Sequence, residues 1–219
     1  MAIDLDAIKS KLKTLQESAT KKSDVFWKPP VGKTQIRIVP YQHNKDWPFQ
    51  ELYFHYEVGK KTMVSPSSYG RPDPILEFAE KLKKSGDKDD WKLGRKIEPK
   101  FRCYVPILVR GEESEGVKFY AFGKKIYQEL LSVINDPDYG DITDVKEGHD
   151  FKIIKIMEGQ WPKYDQSAPR PKSTPTGSGK EVAEWMESLH DIQSLVKLED
   201  YEELKQISES INPFAAVER

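Results

Sequence analysis

The sequence predicts a mainly β fold with helices, of the α+β class, and three observations carry that expectation. Runs of β-branched and aromatic residues alternate with polar ones at Thr34–Pro40, Leu52–Val58, Arg102–Val109, Val117–Phe122 and Phe151–Met157, the period-two signature of half-buried strands. Stripes at helical spacing stand at both ends of the chain and at Gly123–Ile134. Between the second and third strands, residues 59–100 are rich in Gly, Pro and Lys and read as an insertion with a short helix of its own.

Taken in order, residues 4–19 read as an amphipathic helix, with Asp4 the expected N-cap and Leu5, Ile8, Leu12 and Leu15 at helical spacing; Lys9, Lys11 and Lys13 lie off that stripe. A lone helix of this length is marginal in water, so it requires a surface of its own domain or of a neighbouring molecule. Lys28-Pro29-Pro30 and Gly32 then break the chain. In the strand that follows, period two sends Ile36 and Ile38 inward and Arg37 outward. Within the insertion, Asp73 and Pro74 make a cap and first-turn pair for a helix from Ile75 to Lys84.

The centre of the chain, Phe101 to Ile134, reads strand, turn, strand, helix. Cys103, Val105, Ile107 and Val109 make the core face of the first strand, which leaves Arg102 and Tyr104 opposite; in the second, Lys118, Tyr120 and Phe122 share a face against Val117, Phe119 and Ala121. Cations and rings on one surface suit single-stranded nucleic acid, because bases stack on rings at roughly 1–3 kcal/mol each while Lys and Arg follow the phosphates. The plain alternative is a solvated sheet face with ordinary cross-strand pairs. From Lys81 to Arg110, ten Lys and Arg stand against four acids, which is equally the composition of a solvated face. Lys124 and Lys125 occupy the first turn of the next helix, where cations oppose the helix dipole and an anionic partner would relieve them.

After the last strand, Gly159–Tyr164 is an aromatic and basic loop, and Ala168–Gly177 a Pro-rich linker. Ser178 and Glu181 have capping-box spacing for a helix through Leu189, and Leu198–Ile211 is a second acidic amphipathic helix. The expected organisation is a basic arm (1–24), a core (25–172) that includes the insertion, and an acidic helical segment (173–219).

With 37% hydrophobic and 32% charged residues, the 219-residue chain is polar yet rich enough in rings to fold. The formal net charge of −1 conceals an asymmetry: residues 173–219 carry four Lys and Arg against ten acids, while the body is basic. No apolar run approaches the roughly 20 residues that cross a bilayer, and no signal peptide opens the sequence, so a cytoplasmic protein is expected. A single cysteine, Cys103, excludes an internal disulfide and a Cys-rich zinc site. Phosphate loops, nucleophile elbows, zinc-protease and EF-hand motifs are missing, and the four histidines have no ligand spacing, so no enzyme is indicated.

Several pieces in order carry a resemblance: Ile36-Arg37-Ile38-Val39-Pro40, Pro48-Phe49 with His55, the YVPILV strand, Phe119-Tyr120 with Phe122-Gly123-Lys124-Lys125-Ile126-Tyr127, Glu147-Gly148 with Phe151, and Gly159 with Tyr164-Asp165. Across about residues 25–210 the chain resembles the single-stranded DNA-binding, helix-destabilising proteins of T-even-type bacteriophages, the gene 32 product family. That resemblance implies an OB-fold barrel with a helical insertion and C-terminal helices. It also implies sequence-tolerant, cooperative binding of single-stranded DNA in phage replication, recombination and repair, inside the infected host. By position it assigns Arg37, Tyr120 and Tyr164 to the DNA cleft, with Trp161 nearby; Lys100, Arg102, Lys124 and Lys125 follow from charge and placement, and Tyr104 and Lys118 from the shared face.

The departures from the family are informative. Its zinc ion is held by one His and three Cys; His55 matches the His, but Ser65–Gly70 stand where the first Cys belongs, and no cysteine occurs in 59–100. No zinc or other cofactor is therefore expected, with Ile75, Leu76, Phe78 and Leu82 packing the insertion instead. Ala121 replaces a basic cleft residue, which implies weaker affinity. Expected partners are single-stranded DNA, neighbouring copies along it through the 1–24 arm, and replication or recombination proteins through the acidic end. An OB-fold protein-interaction adaptor and a single-stranded RNA-binding protein are the alternatives.

Overall fold

A computed structural model describes residues 25–44, 47–56, 58–59, 62–164 and 166–211. The β-branched and aromatic runs do form strands. β1 (Phe26–Trp27) lies parallel to β6 (Lys118–Phe122), and β2 (Gly32–Ile38) runs antiparallel to β5 (Lys100–Val109) and β7 (His149–Glu158). β8 (Trp161–Lys163) and β9 (Ala168–Ser173) both pair antiparallel with β7, while β3 (Gln50–His55) pairs with β4 (Met63–Val64) and β5. The helices are α1 (Pro74–Lys84), α2 (Lys88–Ile97), α3 (Lys124–Ile134), α4 (Gly179–Glu187), α5 (Ile192–Leu195) and α6 (Tyr201–Ile211). The class is mixed α+β, as expected. The strand order β1-β6-β5-β2-β7-β8 is open at both ends, and among the described residues no pairing closes it into a barrel.

The chain divides into two compact units. The first comprises the described residues up to Phe49 with Tyr104–His190. Ile36, Ile38, Val105, Ile107, Phe119 and Phe151 are at most 2% exposed in its core. Arg37 corrects the period-two reading: it does not face outward but is wholly buried between β5 and β7. Its Nε stands 2.9 Å from Asp150 Oδ1, and its Nη2 donates to the Thr174 carbonyl and, at 2.8 Å, to Thr174 Oγ1. From Ile36 to Ile38 β2 is buried, and the partner of Arg37 comes from the neighbouring β7, distant in sequence. Arg110 holds the same carboxylate, 2.9 Å from Asp150 Oδ1, and donates to the carbonyls of Pro175 and Thr176. The stretch expected to be a linker is thereby fastened down, and its first half is β9. Prolines suit such a strand, because it pairs on one side only.

The second unit joins Gln50–Cys103 to the described residues from Asp191 onward. Asp73 caps α1 as expected, its Oδ1 accepting from the amides of Ile75 and Leu76, with Pro74 in the first turn. Ile75, Leu82 and Ile97 form its core with Val58, Met63, Ala79 and Leu204, and Phe78 packs against them. Of the expected packing set, Leu76 alone lies outside this cluster, half-buried. The cluster is completed from α6, so packing sets the boundaries elsewhere than composition does: the insertion is wider than 59–100, α5 and α6 pack with it, and α4 stays with the first unit. The proposed arm, residues 1–24, lies outside the described residues. α2 has no clear signal in the sequence, because it is basic and contains Gly94; that glycine is required, since a Cβ there would stand 2.7 Å from the Ala79 carbonyl oxygen of α1.

Candidate nucleic-acid interface

Pairing β1 with β6 in parallel sets Phe26 beside Phe119 and Trp27 beside Tyr120. The rings meet edge to face: Trp27 and Tyr120 centroids are 5.1 Å apart, and Phe26 and Tyr104 5.9 Å. Together with Tyr164, just after β8, they line a cavity of about 550 Å³ whose rim carries Lys28 and Lys155. That volume accommodates nucleobases, and the walls are six rings with only two cations. Lys155 Nζ donates to the Pro29 carbonyl at 3.1 Å, which ties the Pro-Pro break to β7. The Tyr120 phenol is 2% exposed, and burial first, then the neighbouring Tyr164, pushes its ionisation well above the ordinary range.

Three of the sequence-derived site residues therefore meet in one place: Tyr104, Tyr120 and Tyr164. The others do not line this cavity. Lys118 is only 16% exposed in its side chain and is paired with Glu115, and Phe119, Tyr120 and Phe122 are all buried, so β6 has no open face of rings and cations. Lys124 and Lys125 are exposed at the start of α3, whose Gly123 cap offers no side-chain hydrogen bond. Trp161 is 77% exposed in the β7–β8 hairpin, opposite Glu158 and close to exposed Ile156 and Met157. Lys100 and Arg102 belong to the second unit, where Lys100 Nζ donates to the Arg95 carbonyl and the Arg102 guanidinium lies 5.8 Å from the Tyr56 ring centre. Arg37, being enclosed, presents no surface to a phosphate. Its charge is stabilised by Asp150 against the burial that lowers its pKa.

Sequence reasoning missed Phe26, Trp27, Lys28 and Lys155 as site residues. Phe26-Trp27-Lys28 precedes Pro-Pro and spans too few residues to show alternation; its aromatic and basic composition was the available signal.

Around His55 the polar side chains are already paired with one another. The ring is wholly buried, with Nε2 2.8 Å from Asp73 Oδ2 and Nδ1 3.1 Å from the Ile97 carbonyl oxygen. Ser65 Oγ donates to the same Asp73 oxygen and lies 2.6 Å from Ser67 Oγ. Burial alone would raise the Asp73 carboxyl, but the hydrogen bonds from His55 and Ser65 prevail and hold it below its ordinary value. The His55 imidazole is already engaged with the Asp73 carboxylate, and residues 59–100 supply no thiolate. Among the described residues no group of three or more His, Cys, Asp and Glu could hold a metal ion, and no helix is long and apolar enough to cross a membrane.

A family model described as "gp32 DNA binding protein like" matches residues 31–215. None of the curated proteins matches the chain.

Proposed function

The chain belongs to the gp32-like DNA-binding protein family, and from that premise we propose that it is a non-enzymatic, sequence-tolerant single-stranded DNA-binding protein acting in phage replication, recombination and repair. The observation that carries the reading is the ring-lined cavity with Lys28 and Lys155 at its rim. Bases stack on Tyr104 and Tyr164, while Lys28, Lys155, Lys124 and Lys125 neutralise phosphates. Trp161, on its hairpin, offers a further stacking surface, and Lys100 and Arg102 add charge from the second unit. Arg37 acts indirectly, by holding β2, β7 and Thr174 together. Binding the single strand and not the duplex shifts strand melting by mass action, with no fuel. An OB-type ancestry of the strands, cooperative contact through residues 1–24, partner recruitment by the acidic end and independence from zinc complete the proposal.

Tryptophan fluorescence titrated with a 20-nucleotide single strand, its duplex and its RNA equivalent tests it. Quenching by the DNA strand that salt reverses and the duplex does not reproduce is the expected result, and Tyr164→Ala should weaken binding about 5- to 150-fold. No response to any strand at low salt would overturn the reading. A preference for RNA would move it to RNA binding. Elemental analysis should find no stoichiometric zinc.

A further inference from the structure

α2 has two faces. Gly94 and Ile97 are buried and Leu93 packs on the core of the second unit; Lys88, Trp91, Lys92 and Arg95 fall at i, i+3, i+4 and i+7 and are all exposed. Trp91 is 50% exposed, and the Arg95 guanidinium lies 5.8 Å from its ring centre. The stripe is rigidly presented, because Gly94 lets α2 approach α1 so closely that a Cβ would meet the Ala79 carbonyl oxygen and Lys83 Cγ. Of the nearby acids, Asp87 is committed as the helix cap, its Oδ1 accepting from the amides of Asp89 and Asp90. Lys92 pairs with Asp89 at 2.8 Å, but both side chains are mostly in water, and such a pair contributes little and exchanges readily for a phosphate. Arg95 shares Glu98 with Lys83 and Lys100, so one carboxylate serves three cations.

We propose that the Lys88-Trp91-Lys92-Arg95 stripe of α2 is a second single-stranded nucleic-acid contact, separate from the ring-lined cavity, at which a base stacks on Trp91 and the cations take the flanking phosphates. It rests on the reading of the protein as a single-strand binder. Charge complementarity selects the occupant: from Lys81 to Arg102, nine Lys and Arg stand against four acids, and a half-exposed indole among them offers the π-face that every base can use.

The test uses the full chain and a 20-nucleotide oligothymidylate carrying 5-bromouracil. Trp91→Ala and the double variant K92Q/R95Q, both at exposed positions, are first compared with the parent by thermal unfolding. Trp91→Ala is expected to weaken binding at least about 5-fold, and K92Q/R95Q to make the slope of log affinity against log salt shallower by about 0.7 for each phosphate that is no longer neutralised. Irradiation of the parent complex is expected to cross-link the peptide bearing Trp91. A parent that binds while both variants match it, or cross-links confined to peptides of the first unit, overturns the second site and leaves the stripe to an acidic protein partner. A parent that binds no strand overturns the single-strand reading itself and this inference with it.

Discussion

The Tyr120 phenol sits 5.1 Å from the Trp27 ring and is held neutral by burial. Below its ordinary value of 10.0 it is protonated whether the chain is folded or not. Above that pH the unfolded chain releases the proton and the folded one does not, so stability is full below about pH 10 and falls as pH rises beyond it. Tyr120→Phe should flatten part of that alkaline loss, read as urea midpoint against pH, while leaving the neutral-pH midpoint nearly unchanged. Gly148 illustrates a different constraint: a Cβ would stand 2.4 Å from the Asp144 carbonyl oxygen and 2.6 Å from both the Ile142 carbonyl oxygen and Arg37 Nη1. Since two of these neighbours are backbone, Gly148→Ala should cost about 1–3 kcal/mol in urea unfolding. The outward orientation read for Arg37 failed at this scale for a physical reason. Period two places a side chain on a face, but only Asp150, 113 residues away, reveals that the face is covered.

Among the elements, those with local signals were legible. α1 and α4 announce themselves through caps: Asp73 with Pro74, and the Ser178–Glu181 box, which is present in full. α3 shows its stripe, with Ile126 and Leu130 buried. β9 and α2 were illegible because what stabilises them is remote. β9 is a proline-bearing strand recognised only by pairing with β7, and α2 depends on a glycine whose value lies in the helix it touches. The same holds for the cavity, whose rings come from β1, β5, β6 and the end of β8. For α1, Asp73→Ala removes a cap and also the acceptor shared by His55 and Ser65. A loss of about 2–4 kcal/mol is expected from the combined cap and unsatisfied buried groups, measured by chemical unfolding.

For the whole molecule, net charge is a poor guide to nucleic-acid affinity. The formal −1 averages a basic body with an acidic end, and a strand samples the local field. Affinity for a single strand should therefore fall steeply with salt, by about 0.7 in log–log slope per phosphate neutralised, although the protein is nearly neutral overall. The second unit is assembled from two separated stretches, with Leu204 sharing one core with Val58 and Ile75. On a ribosome that adds about 5–20 residues per second, Val58 and Ile75 wait roughly 6–30 s for α6 to be made. During that interval α1 and α2 stand with an uncovered apolar side, so the newborn chain is exposed to proteases and chaperones until α6 is made.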